Sequence, residues 1–145
     1  MYELAFITPE HALYPGARAL RYRVLREPFG APPGSEYFAF EPESLHLVAH
    51  DPNGVVVACV LFHPESEAAG RLFHMAVSPA LQRTGLGRRL VRALEEELGR
   101  RGVREVSLHA RDTAVPFYER LGYTCVGEPF VEVGIVHRHM HRLLG

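Results

Sequence analysis

The 145-residue chain contains no lysine, and all 16 of its basic residues are arginine. That excludes a P-loop, whose Gly-Lys-Ser/Thr places an ammonium on nucleotide phosphates. Cysteine is scarce as well: Cys59 and Cys125 each sit in an apolar run and are expected as buried, reduced thiols rather than a disulfide or a metal site. No run approaches the ~20 apolar residues of a membrane span. The opening stretch MYELAFITPEH has acids and a proline where a secretory signal would have basic residues, so a cytoplasmic protein is expected. Excess charge is also lacking, with a formal net charge of −1, which argues against a dedicated nucleic-acid binder.

What is present is apolar enough, at 47%, for one core. A chain of this length buries roughly 70% of the surface of its unfolded form, and residues 1–145 read as a single domain. Charge is uneven: residues 1–70 hold four arginines against nine acids, and residues 71–145 twelve against eight. The second half should attract anions.

YELAFI (2–7) reads as a first strand, and a helix is expected from near Pro15 to before Pro28. The Pro-, Gly- and acid-rich segment from Glu27 to Glu43 reads as a long loop. LHLVAHD and VVVACVLFH form a hairpin through Asn53-Gly54, and RLFHMAVS (71–78) is a further strand. Leu86, Leu90, Leu94 and Leu98, with Val91, recur at helical spacing, so a helix is expected over 84–99, ending at Gly99 or Gly102. A strand over 104–110, a short helix capped by Asp112 and stopped by Gly122, and a closing pair of strands complete the chain. The order is β-α-β-β-β-α-β-α-β-β, an α/β (α+β) chain with a mixed sheet and helices against it.

The segment QRTGLG joins the carboxyl end of a strand to the amino end of a helix, where open α/β sheets bind ligands. The first N–H groups of a helix lack intrahelical acceptors and carry the positive end of its dipole. Gly85 and Gly87 would let an anion approach them closely, and Arg83, Arg88, Arg89 and Arg92 add charge. A dinucleotide fingerprint is excluded by the missing third glycine and ribose-binding acid. A plain tight turn remains the alternative for a bare G-x-G.

QRTGLGRRL is similar to the Q/R-x-x-G-x-G/A motif of the GNAT superfamily of N-acetyltransferases, and LHARDTAVPFYERLGY resembles that family's A-x-x-F-Y-x-x-x-G-F/Y helix. HMAVSPALQ, GEPFVEVGIVHRHM and ALRYRVLREPFGAPPGSE extend the resemblance over most of the chain. It implies a three-layer GNAT-like fold with a mixed central sheet of about six or seven strands flanked by helices. It also implies acetyl-CoA as cosubstrate and a primary amine, of a small molecule or a peptide, as acceptor. Backbone groups of Met75, Ala76 and Val77 would bind the pantetheine arm. Gln82, Arg83, Thr84, Gly85, Leu86, Gly87 and Arg88 would cradle the pyrophosphate. Tyr118 would be the general acid toward the leaving sulfur, with Phe117 as the packed neighbour. Arg111 stands where many members have an asparagine that touches pantetheine, and Arg83 where many have glycine.

The resemblance leaves the general base open among His74, Glu128, Glu132 and His137, with a water chain as another route. His137, His139 and His141 share one strand face, but residues two apart on a strand are ~7 Å from each other, and no metal is expected. The arginines of the first helix and the loop acids Glu36, Glu41 and Glu43 would wall the acceptor site, and an acidic rim would prefer a cationic amine. Neither nucleic acid nor membrane is expected as a partner, and the protein would be a monomer or a homodimer. The alternative function is a non-catalytic acyl-CoA sensor on the same fold.

Overall fold

The leucine stripe builds its helix as the spacing predicts. Leu86, Leu90, Val91, Leu94 and Leu98 are all buried along α2 (Leu86–Arg100). The helix starts two residues later than expected because Gly85 adopts φ 90°, a left-handed angle outside the helix, and it stops ahead of Gly102, at φ 87°.

The computed structural model describes residues 1–145. Its remaining elements are β1 (Glu3–Ile7), α1 (Tyr14–Leu25), β2 (Leu45–His50), β3 (Val56–Pro64), β4 (Ala69–Val77), β5 (Glu105–Arg111), α3 (Val115–Arg120), β6 (Thr124–Glu132) and β7 (Ile135–Leu143). The seven strands form one sheet in the order β1-β2-β3-β4-β5-β7-β6. Only β4 and β5 run parallel, joined by the α2 crossover; all other pairs are antiparallel. This is the mixed α+β architecture that the element order implied.

Two cores lie on the two faces. Leu47, Val60, Leu72, Val106, Leu108 and Met140 pack with α2 and with Tyr118 and Leu121 of the α3 end. Tyr14, Ala17 and Leu20 of α1 pack against Val48, Val56, Cys59 and Ala76 on the opposite face. Glu95 ties the α2 layer to the sheet end by accepting from Tyr123 Oη and Arg142 Nη1, each at 2.8 Å.

Several expectations need correction. The long loop contains 3-10 turns at Glu27–Phe29 and Glu41–Glu43, both begun by a proline that supplies a fixed φ. β4 begins at Ala69 because the hairpin with β3 extends to the Pro64–Gly70 pair. Asp112 does not cap α3: it lies in a 3-10 turn (Asp112–Ala114) with no side-chain cap bond, and the α-helix begins at Val115. Cys59 is buried as expected, whereas Cys125 on the outer strand β6 is only half-buried.

Candidate active site

β4 and β5 pair only through Ala69–Glu105, Gly70–Val106 and Arg71–Ser107. Beyond that point β4 has no strand partner on its β5 side, so the backbone edge that carries Met75, Ala76 and Val77 is open. The fork has a local cause. Cys59 pairs with Ala76 and Leu61 with Phe73, so β4 uses one more residue than β3 and bulges at His74, where φ is 55°. The Cys59 thiol donates to the His74 carbonyl at 3.7 Å, and burial pushes its pKa up to about 12. A bulge bends its strand and increases the twist, which parts β4 from β5.

At the open end of the fork stands the turn before α2. None of the N–H groups of residues 83–88 takes part in the turn and cap hydrogen bonds; the first to do so is that of Arg89, which donates to the Gly85 carbonyl at 3.0 Å. The Thr84 hydroxyl donates to Leu81 O at 2.6 Å and Gln82 Nε2 to Val77 O at 3.2 Å, so both side chains hold the turn in shape. Leu86 is buried and offers only its N–H. A Cβ on Gly85 would meet nothing within 4 Å, whereas one on Gly87 would lie 2.9 Å from Met75 Cε and 3.3 Å from Phe117 Cζ. Gly85 is therefore required by its backbone angle, while a side chain at Gly87 would press on Met75 and Phe117, where α2 packs on β4 and α3. Arg83 adopts φ 65°, the angle for which glycine is suited, and Arg88 is exposed beside it. Free amides and a helix dipole at an arginine-rich turn suit the diphosphate of a coenzyme.

The expected division between Phe117 and Tyr118 is reversed in packing. Tyr118 is 7% exposed and lies edge-on to Phe117 and Tyr123, while Phe117 is only half-buried. No protein group hydrogen-bonds to the Tyr118 hydroxyl, and burial raises its pKa above the usual phenol range, so it stays protonated.

On the α1 face, Arg71, His109 and Glu132 come together. Arg71 Nη2 lies 2.6 Å and Glu132 Oε1 2.9 Å from the same atom, His109 Nδ1. One nitrogen cannot serve both: protonated, it donates to Glu132; unprotonated, it accepts from Arg71. Burial lowers the His109 pKa, opposed in part by Glu132. Burial alone would raise that of Glu132, but the His109 bond and the neighbouring His137 and Arg71 hold it below the usual carboxylate value. His137 Nε2 is 3.9 Å from Glu132 Oε2, and its Nδ1 is engaged with Ile135 O at 2.8 Å. His74 lies against Phe38, the rings tilted with centroids 4.6 Å apart, and its Nε2 is buried with no partner. Glu128 is exposed in the irregular stretch of β6 between Val126 and Phe130.

A family model described as "Acetyltransferase (GNAT) domain" matches residues 33–144. The chain is 30% identical over 137 residues to a Bacillus subtilis (strain 168) protein that carries the name acetyltransferase, covering 90% of this chain and 89% of that one. The chain belongs to the GNAT acetyltransferase family. GNAT proteins move an acyl group from coenzyme A to an amine, and this one is an acyltransferase of that kind. The crystal structure of a Lactobacillus plantarum protein designated an N-acetyltransferase superposes with a TM-score of 0.88 at 26% identity, covering 99% and 98% of the two chains. An aminoglycoside 6′-N-acetyltransferase solved with coenzyme A shares the fold, at 17% identity, a TM-score of 0.81 and coverage of 98% and 97%. No helix is long and apolar enough to cross a membrane.

The GNAT fold brings the expected coenzyme-side residues, Met75 to Val77 and 82 to 88, to one end of the fork, and of the four candidate bases it gathers Glu132 and His137. Of the three acids expected to rim the acceptor site, only Glu43 is exposed. Glu41 is fully buried in an ion pair with Arg21 at 2.8 Å, and Glu36 pairs with Arg18 at 2.6 Å, so neither carboxylate faces an acceptor. Residues that the motifs did not single out are His109, Arg71 and Phe38. The alternation Ser107, His109, Arg111 on one face of β5 was the signal available for the first of them. His137, His139 and His141 do share a face but turn to different neighbours: Phe130, His109 and Glu105.

Proposed function

We propose that this GNAT protein is an acetyl-CoA-dependent N-acetyltransferase with a single domain over residues 1–145, acting on a primary amine. The observation that carries the reading is the fork between β4 and β5, with a turn of free amides at its mouth and an unpartnered phenol nearby. In this reading the free N–H groups of residues 83–88 hold the diphosphate, and the open edge at Met75, Ala76 and Val77 takes the pantetheine arm as an added strand. When bound, the cosubstrate supplies a thioester carbonyl and a thiolate leaving group.

The chain's own groups then handle protons and position. Tyr118 keeps a proton at Oη for the departing sulfur, whose conjugate thiol has a pKa near ~8.5, well below that of the phenol. Glu132 is the proton acceptor for the amine, because Oε2 has no hydrogen-bond partner while Oε1 is fixed by His109. His74 is withdrawn from that role by its burial and its strongly lowered pKa.

Release of free thiol from acetyl-CoA with a panel of amines tests the proposal. Tyr118→Phe should lower kcat by about 10²-fold or more, without loss of acetyl-CoA binding or of stability, since the hydroxyl it removes bonds to nothing in the protein. Stabilisation by acetyl-CoA with no turnover of any amine would instead favour the sensor.

A further inference from the structure

Arg18, Arg21, Arg92, Arg100, Arg101 and Arg142 are each ion-paired with a carboxylate. Arg26, Arg71 and Arg111 are half-buried and hold none. Arg26 donates only to the Ser35 and Leu25 carbonyls, at 3.2 and 3.3 Å. Arg111 Nη2 donates to the same Leu25 carbonyl at 2.7 Å, its guanidinium 4.3 Å from the Phe29 ring. Arg71 lies 4.3 Å over Phe73, and its buried Nε has no acceptor.

Taking a guanidinium out of water without a counter-ion is costly, and here three do so on one wall. Burial, in each case the largest influence, lowers their pKa values. The diphosphate turn does not account for them. Arg71 and Arg111 alternate along β4 and β5 with Leu72, Val106, Leu108 and Ala110, which belong to the core under α2. Their side chains therefore lie on the opposite face of the sheet, with α1. The carboxylate among them is Glu132, already engaged by His109.

We propose that the acceptor is a small zwitterionic amine, whose carboxylate or phosphate is bound by Arg26, Arg71 and Arg111 while its ammonium end meets Glu132. This inference rests on the acetyl-transfer reading above for the role of the ligand, but not for its binding. It reverses the preference for a cationic amine that the loop acids suggested, because Glu36 and Glu41 are paired internally with Arg18 and Arg21.

Matched amines test it: β-alanine against β-alaninamide, O-phosphoethanolamine against ethanolamine, and 1,3-diaminopropane as the cationic control. Each is assayed for thermal stabilisation of the protein with saturating coenzyme A, and for kcat/KM of thiol release with acetyl-CoA. At least one acid-bearing member should stabilise the protein and exceed its partner that lacks the acid by about tenfold to a hundredfold. Which pair responds distinguishes carboxylate from phosphate. Arg71→Gln and Arg111→Gln, each checked for its own melting temperature, should reduce that ratio about tenfold, and Arg111→Lys should restore part of it. Equal or better performance by the amines that lack the acid, binding of none of them, or a ratio unchanged in both glutamine variants would overturn the proposal. A charge preference in binding without thiol release would uphold it and count against acetyl transfer.

Discussion

His74 sits at the β4 bulge at a positive φ, with its ring inside the protein and one nitrogen unpartnered. Burial first, then the charges of Arg21 and Arg26, push its pKa down from 6.5 to about 2. The folded protein therefore keeps it neutral, while the unfolded chain gains a proton below about pH 6.5. Its contribution is fully present above that pH and drains as pH falls toward the folded value. Buried His46 is shifted in the same direction, also chiefly by desolvation. Asparagine tolerates positive φ, so His74→Asn should make urea-derived stability fall less steeply between about pH 6 and 5, by up to ~1.4 kcal/mol per pH unit. Parallel slopes for the two proteins would contradict this assignment. At this scale the sequence revealed which residue types were available but not their surroundings. His74, Glu128, Glu132 and His137 were equal candidates as letters. Burial and the His109 bond are what distinguish their surroundings in the fold.

The segment between α1 and β2 shows how an element without regular structure is fixed in place. Glu41 accepts from Tyr14 Oη, from both terminal nitrogens of Arg21 and from the Phe38 N–H, and both members of the ion pair are fully buried. Glu41→Gln would leave the Arg21 guanidinium inside without its counter-charge, at a cost of about 3–5 kcal/mol. Urea unfolding should read that loss, and limited proteolysis should show residues 27–43 becoming the earliest site of cleavage. The β6–β7 hairpin carries the opposite kind of feature. Its turn places Val133 at φ 47° beside Gly134 at φ 74°, and a β-branched side chain is poorly suited to that angle. Val133 is 66% exposed, so Val133→Asn should raise stability by about 1 kcal/mol in the same urea assay. Periodicity located every strand and both larger helices to within a few residues. It did not announce this turn, because Glu-Val-Gly has no strong turn signature, nor the pinning of the loop, because an acid in a polar stretch reads as solvated.

Across the molecule the sheet separates two sets of groups. The turn of free amides lies with α2, the arginines without a carboxylate lie with α1, and the fork between β4 and β5 joins the two faces. Binding of acetyl-CoA to the folded state alone should stabilise it by about 2.7 kcal/mol at a hundredfold excess over Kd. The rise in melting temperature should shrink as salt is added, since Arg83 and Arg88 at the turn are exposed to screening. A salt-independent shift would mean that the turn does not hold the charged part of the ligand. The sequence by itself determined the order of elements, the parallel crossover through α2, the glycine-bearing turn and the family, because each depends on periodicity or on contiguous residues. Tertiary structure alone decided that Glu36 and Glu41 are spent on arginines of α1, that Gly87 packs against Met75 and Phe117, and that Arg71, Arg111, His109 and Glu132 lie on the face of α1. Those outcomes depend on which distant residues meet and how much water is removed between them, and neither is written in spacing along the chain.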